Sequence, residues 1–102
     1  MGLTVRLEDE HGKLIAKVHD PHDFIWRNLP DYEDGSSGLL KYIDRYGDTV
    51  FNRPQMRDFI KEWRDTMIRN ASDDDREVLE QVERMALQCE SGPHLYLKFY
   101  GD

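Results

Sequence analysis

The densest potential for chemistry lies in His19, Asp20, His22 and Asp23, two imidazoles and two carboxylates within five positions. Such groups can ligate a metal ion or serve as acid and base in a small hydrolytic site. A metal site would also need a matching pair of ligands elsewhere in the chain, and none stands at a recognisable spacing. Helix initiation accounts for the same residues. Asp20 suits an N-cap, Pro21 the first helical position, and Asp23 the third, where a carboxylate meets the positive end of the helix dipole. The reading taken is a short helix over Pro21–Arg27. It turns Phe24 and Ile25, or Ile25 and Leu29, to the core, and Pro30 stops it.

Other reactive patterns are missing. There is no Gly-rich phosphate loop, no Gly-x-Ser-x-Gly elbow, no His-Glu-x-x-His and no Cys-x-x-Cys pair. The sole cysteine, Cys89, allows no internal disulfide and points to a reducing, cytoplasmic setting. It falls on an apolar helix stripe without a positive neighbour, so it reads as a small core residue rather than a nucleophile. No cofactor or metal is expected. Arg53, Arg57, Lys61 and Arg64 form the one concentrated basic stripe. It could receive an anion, but is expected to face the acidic helix that follows.

The elements that must position these groups follow from periodicity. Residues 3–8 alternate, with Leu3, Val5 and Leu7 against Thr4, Arg6 and Glu8, as in a half-buried strand. A turn at Glu10-His11-Gly12 leads to a second strand over 13–19, completing a hairpin. Residues 31–38 read as a mobile, acidic, Gly/Ser-rich surface loop that buries nothing. Leu39–Asp44 is expected to be a third strand, with Leu40 and Tyr42 on one face, and Thr49-Val50-Phe51 a brief extended piece. Asn52 and Gln55 then have the spacing of a capping box, and Phe51 and Met56 that of a hydrophobic staple. The helix they open runs to about Asn70, with Met56, Phe59, Ile60, Trp63 and Met67 on its buried stripe and Asp58, Glu62 and Asp65 on the far side. Ser72 or Asp73 caps a second helix. Val78, Leu79, Val82, Met85, Ala86 and Cys89 line its core face, while Glu80, Glu83 and Glu90 face water. Gly92 is expected in the left-handed region at the helix end. The last strand, His94–Tyr100, is the most regular and is expected to be central in the sheet. Tyr-Gly-Asp occurs at 46–48 and again at 100–102, which reads as coincidence.

These elements predict a single α+β domain over residues 1–102. It would be a two-layer sandwich: a mainly antiparallel sheet of about four strands with an αα-hairpin packed on one face. The opposite sheet face would then look outward. With Leu95, Leu97 and Phe99 turned to the helices, the open face carries Tyr96, Lys98 and Tyr100, joined by Arg6, Tyr42 and His19. Tyrosine and arginine on a flat face have the composition of a partner-binding surface, so Arg6, Tyr42, Tyr96, Lys98 and Tyr100 are the candidate binding residues.

Composition bounds the partner. The chain has 102 residues, 34% of them charged and 38% apolar, with a net charge of −7. An acidic balance repels phosphate backbones and anionic membranes, so a nucleic-acid partner is unlikely. Salt-sensitive binding to DNA through Arg53, Arg57, Lys61 and Arg64 remains the disfavoured third reading. The N-terminus lacks an apolar export segment, and no stretch reaches transmembrane length.

The phrases YGDTVFN at 46–52 and HLYLKFYGD at 94–102 resemble those of small bacterial proteins of about this length. That resemblance carries no assigned activity and so implies no catalytic residues. In size and charge the chain also looks like the immunity proteins of bacterial toxin systems. The expected function is an acidic protein–protein interaction domain, an immunity-type protein neutralising a basic partner. The alternative is a small metal-binding or hydrolytic enzyme using the His19–Asp23 cluster.

Overall fold

A computed structural model describes residues 2–20 and 22–101. The chain runs β1 (Thr4–Asp9), β2 (Leu14–His19), α1 (Phe24–Asn28), β3 (Asp48–Phe51), α2 (Met56–Glu62), α3 (Asp73–Ser91) and β4 (Leu95–Tyr100). The four strands form one antiparallel sheet in the order β2-β1-β4-β3. The fold is thus the expected α+β two-layer arrangement, with β4 central between β1 and β3.

Each strand places its residues by simple alternation. Val5 and Leu7 of β1 pair with Phe99 and Leu97 of β4, and all are fully buried. Phe51 extends this inner face from β3. The tight turn between β1 and β2 depends on Gly12, at φ 79°, a conformation that glycine takes without a Cβ clash. The register slips by one residue between Leu7 and Glu8, a bulge that leaves Leu14 opposite Glu8.

The helices cover the inner face. The capping box forms as the spacing predicts: the Gln55 side-chain oxygen accepts from the Asn52 N–H at 2.8 Å. It starts a 3₁₀ turn at Arg53–Gln55 that leads into α2, and a π-helical segment, Trp63–Ile68, continues from the end of α2. Met56, Phe59, Ile60, Trp63 and Met67 are all buried along one stripe. Phe59 stacks on Trp63 with centroids 5.4 Å apart, and Phe99 of the sheet meets both rings. The Trp63 indole N–H donates to the Leu79 carbonyl at 2.9 Å, joining α2 to α3 inside the core. From α3, Leu79, Val82, Met85, Ala86 and Cys89 complete the buried layer.

Six expectations need correction. Leu39–Asp44 is not a strand. It holds a 3₁₀ turn, Leu40–Tyr42, which buries Leu40 and Ile43 at a spacing of three and leaves Tyr42 51% exposed. The 31–38 loop does bury a residue, Ser37, and Glu62 ties its end down instead of facing outward. The Glu62 carboxylate accepts from the Ser37 hydroxyl and from the N–H groups of Gly38 (3.2 Å), Leu39 (2.7 Å) and Leu40 (3.3 Å). Glu83 does not face water but pairs with Arg64. Gly92 is extended at φ −105°, and His94 takes the positive φ of 58° instead. The first short helix begins at Phe24, later than expected, with Asp23 at its N-cap at φ 55°. Ile25 and Leu29 are its buried pair. The expectation for Pro21 lies outside the described residues.

The first Tyr-Gly-Asp copy meets Tyr100 and Gly101 of the second in space. Asp48 stands opposite Tyr100, and the Gly101 N–H donates to the Gly47 carbonyl at 2.8 Å. A Cβ at Gly101 would lie 2.2 Å from the Arg45 carbonyl oxygen, so only glycine lets β4 end against that turn. Asp102 lies outside the described residues.

Candidate functional site

Both long helices pack on one face of the sheet, and strand parity assigns the other. Residues directly opposite across a strand pair share a face. Register therefore lays out three rows on the open side: Asp48-Tyr100-Thr4-His19, Val50-Lys98-Arg6-Lys17, and Tyr96-Glu8-Leu14. Four of the five expected binding residues, Arg6, Tyr96, Lys98 and Tyr100, are brought together there. Tyr42 is not. It leaves the sheet with the 3₁₀ turn and packs edge-on against Tyr32 with centroids 5.8 Å apart.

The middle of this face is organised by a residue that sequence reasoning left out of the site, Glu8. Its side chain is only 4% exposed although it points away from the core. Lys98 Nζ lies 2.8 Å from one carboxylate oxygen, and the Tyr100 hydroxyl donates to the other at 3.0 Å. Arg6 Nε stands 3.1 Å from the same second oxygen, without hydrogen-bond alignment, and its guanidinium lies 5.5 Å from the Tyr100 ring centroid. Burial alone would raise the Glu8 carboxyl. Hydrogen bonds from Lys98 and Tyr100 and the charges of Lys98 and Arg6 outweigh it and hold the group below the usual carboxylate range. The hydrogen bond to Glu8 pushes the Lys98 ammonium up. Burial, aided by the Glu8 hydrogen bond, pushes the Tyr100 phenol up. All three groups are therefore held in their ordinary charge states across neutral pH. The signal for Glu8 was its parity: it shares the alternation of Thr4 and Arg6 along β1 and stands opposite Tyr96.

Around that network the face offers groups with no such ties. Val50 is 53% exposed and Leu14 42%, and both stand on this side by register. Lys17 is exposed beside Arg6. His19, also exposed, brings its ring nitrogen within 3.2 Å of the Thr4 hydroxyl. The face carries three cations, Arg6, Lys17 and Lys98, against two carboxylates, Glu8 and Asp48. The acidic excess of the chain thus lies on other surfaces.

The His19–Asp23 cluster is taken apart by the fold. His19 belongs to the open sheet face, while Asp20 is buried at 2% exposure. The Asp20 carboxylate caps α1 from upstream, accepting from the N–H groups of Phe24 (3.1 Å), Ile25 (2.7 Å) and Trp26 (3.2 Å). Burial pushes its carboxyl above the ordinary value in spite of those three bonds. Both oxygens are thus committed to backbone, as a capping role requires. Among the described residues no three His, Cys, Asp or Glu side chains converge as a metal site.

The basic stripe faces α3. Arg64 pairs with Glu83, and Arg53 Nε donates to the Glu90 carbonyl at 2.9 Å at the end of α3. Arg45, adjacent to the turn, is also structural: its guanidinium donates to the Trp26 and Leu29 carbonyls, both at 2.7 Å, and closes the end of α1. Cys89 is fully buried and its thiol is pushed up to about 11 by burial. No described helix is long and apolar enough to cross a membrane.

Comparison with protein-family models, with curated proteins and with solved structures finds no match to this chain.

Proposed function

We propose that this chain is a protein-binding domain rather than an enzyme, and that it docks its partner on the open face of the sheet. One observation carries the reading. The face uncovered by helices gathers Arg6, Tyr96, Lys98 and Tyr100 around a carboxylate whose charge is already satisfied. A rigid, internally paired patch presents its outer atoms without first having to reorganise, which lowers the cost of association. Tyr96, Val50 and Leu14 supply apolar contact, and Lys17 supplies an uncommitted cation at the rim.

The biological form of this reading is an immunity-type protein that covers and neutralises a basic partner in a bacterial cytoplasm. The net charge of −7 supports it, because an acidic body speeds encounter with a basic protein. The single cysteine, which allows no internal disulfide, supports a reducing setting.

The test uses residues outside the Glu8 network, so that loss of binding is not loss of fold. Tagged wild-type protein and a Tyr96→Ala, Lys17→Glu variant are used to capture partners from native cells, with Arg84→Ala on α3 as the control. A protein retained by the wild type and the control but lost by the face variant is the expected result. Equal retention by all three, with folding intact, overturns the assignment to this face.

A further inference from the structure

The segment that left the sheet builds a second surface. Tyr32, Tyr42 and Tyr46 are 71%, 51% and 66% exposed, far more than any aromatic on the sheet face. They line a shallow groove of about 380 Å³ together with Lys41, Asp44 and Arg45. Its walls are held from behind. Tyr32 and Tyr42 meet edge-on at 5.8 Å, and Tyr46 meets Trp26 at 6.0 Å with planes 85° apart. The Tyr46 N–H donates to the Asp44 carboxylate at 2.8 Å. Arg45 turns Nε and Nη2 to the Trp26 and Leu29 carbonyls and leaves Nη1 4.0 Å from the Asp31 carboxylate, so its charge is largely engaged within the fold. Ile43 in the same turn is buried and anchors the floor.

Three phenol rings standing proud of the surface around an open groove are not explained by packing. Rings set at an angle leave slots between them that fit flat, rigid side chains rather than flexible ones. Proline is such a side chain, and a polyproline II segment presents it every few residues at a rise of about 3.1 Å each. Its backbone makes no internal hydrogen bonds, so its carbonyls are free to accept from tyrosine hydroxyls at the rim. Charge fixes the rest of the chemistry. Residues 31–46 hold Asp31, Glu33, Asp34 and Asp44 against Lys41 and Arg45, a local net charge of −2. Asp31 is 90% exposed in its side chain, and hydrogen bonds from the Ser36 side chain and backbone keep Asp34 below the usual carboxylate range, hence charged.

We infer that the Tyr32–Tyr42–Tyr46 groove binds a proline-rich, basic peptide segment in polyproline II conformation. The site is separate from the open sheet face and does not depend on the function proposed for it. Proline residues occupy the slots between the rings, and Arg or Lys side chains of the peptide reach the acidic 31–34 loop. Lys41, whose ammonium lies 5.4 Å from the Tyr42 ring centroid, is a cation placed to oppose such a ligand.

The experiment titrates the full chain with three synthetic peptides of equal length, built from Pro-Pro-Arg, Pro-Pro-Glu and Gly-Ser-Arg repeats, followed by fluorescence anisotropy. The Pro-Pro-Arg peptide is expected to bind saturably and the other two at least tenfold more weakly, roughly the loss of one hot-spot interaction. Tyr32→Ala with Tyr42→Ala, both exposed positions, should abolish the binding. Lys41→Glu should tighten it several-fold, and Tyr96→Ala should leave it unchanged. Absence of saturable Pro-Pro-Arg binding overturns the inference. So does equal binding of the Gly-Ser-Arg peptide, which would reduce the site to charge, or equal loss in the Tyr96→Ala variant, which would move it to the sheet.

Discussion

Replacing Glu8 by Gln tests whether the open face is organised as described. Gln keeps the volume and one carbonyl oxygen but removes the charge that Lys98, Arg6 and Tyr100 share. Exposed ion pairs are worth about 0–1 kcal/mol, whereas breaking a fully buried pair costs about 3–5. Glu8 lies between these limits, since its carboxylate is 4% exposed while the Lys98 and Arg6 side chains are 23% and 35% exposed. A loss of about 2 kcal/mol follows, which for a chain of this size lowers Tm by about 10 °C. Urea unfolding at neutral pH, read by tryptophan fluorescence, measures it, with an unchanged slope expected. The pH dependence is the sharper test. The folded-state pKa of Glu8 is depressed, so its contribution is fully present above the unfolded value near 4.5 and is lost as pH falls through the folded value. Over that acid window the wild type protonates and comes to resemble the variant, and the gap between them closes. Lys98 sets the other limit. Its pKa is raised, so its share is present below the ordinary 10.5 and is lost as pH rises through the folded value. A gap under about 0.5 kcal/mol at neutral pH, within the range of ordinary surface substitutions, would refute the reasoning. So would a gap that persists undiminished in acid.

Two further outcomes follow from one half-buried and one buried group. Glu62→Ala removes the acceptor for three consecutive backbone N–H groups and the Ser37 hydroxyl. It should cost about 1–3 kcal/mol and speed amide hydrogen exchange at Gly38, Leu39 and Leu40 before it affects the β4 amides; unchanged protection at those three would contradict the anchoring role. Cys89, with its thiol pushed up to about 11, should react with a thiol reagent at pH 8 only after denaturation, and rapid labelling of the native protein would show that the site opens.

Sequence reading succeeded where the deciding interaction is local and failed where its partner is remote. The capping box at Asn52 and Gln55, the buried stripes of α2 and α3, and the alternation of β4 each depend on neighbours within a turn or a strand. Leu39–Asp44 shows the opposite case. Its buried positions, Leu40 and Ile43, fit a 3₁₀ turn as well as an irregular strand, and the group that decides is the Glu62 carboxylate, 22 residues away from the Leu40 N–H it accepts. With that carboxylate over three successive amides, the segment has an external acceptor and needs no strand partner. Tyr42 moved with it, from the sheet to the tyrosine groove. Glu8 was legible in direction but not in state: alternation places it outward, and only Tyr100, 92 positions on, shows that it is covered. At the end of α3, glycine was the natural choice for a positive φ, yet His94 takes it. In that conformation His94 Nδ1 lies 3.6 Å from the Glu10 carboxylate.

The distribution of charge narrows what the proposed binding face can hold. The body of the molecule is acidic, while the open sheet face carries Arg6, Lys17 and Lys98 against Glu8 and Asp48. Long-range attraction and short-range contact therefore favour opposite signs. The field of the whole chain draws in a basic molecule over distances near the Debye length, about 8–10 Å at moderate salt. Once in contact, the face offers its uncommitted cation, Lys17, and the outer atoms of Arg6 to carboxylates or carbonyl oxygens. A uniform polyanion such as nucleic acid is repelled before it arrives, and a uniform polycation meets like charge on docking. The partner that satisfies both is basic overall but presents a local acidic or neutral patch with apolar groups for Tyr96, Val50 and Leu14. Such an asymmetry belongs to folded proteins rather than to polymers of repeating charge, and it is the physical reason for reading this surface as a protein-binding one.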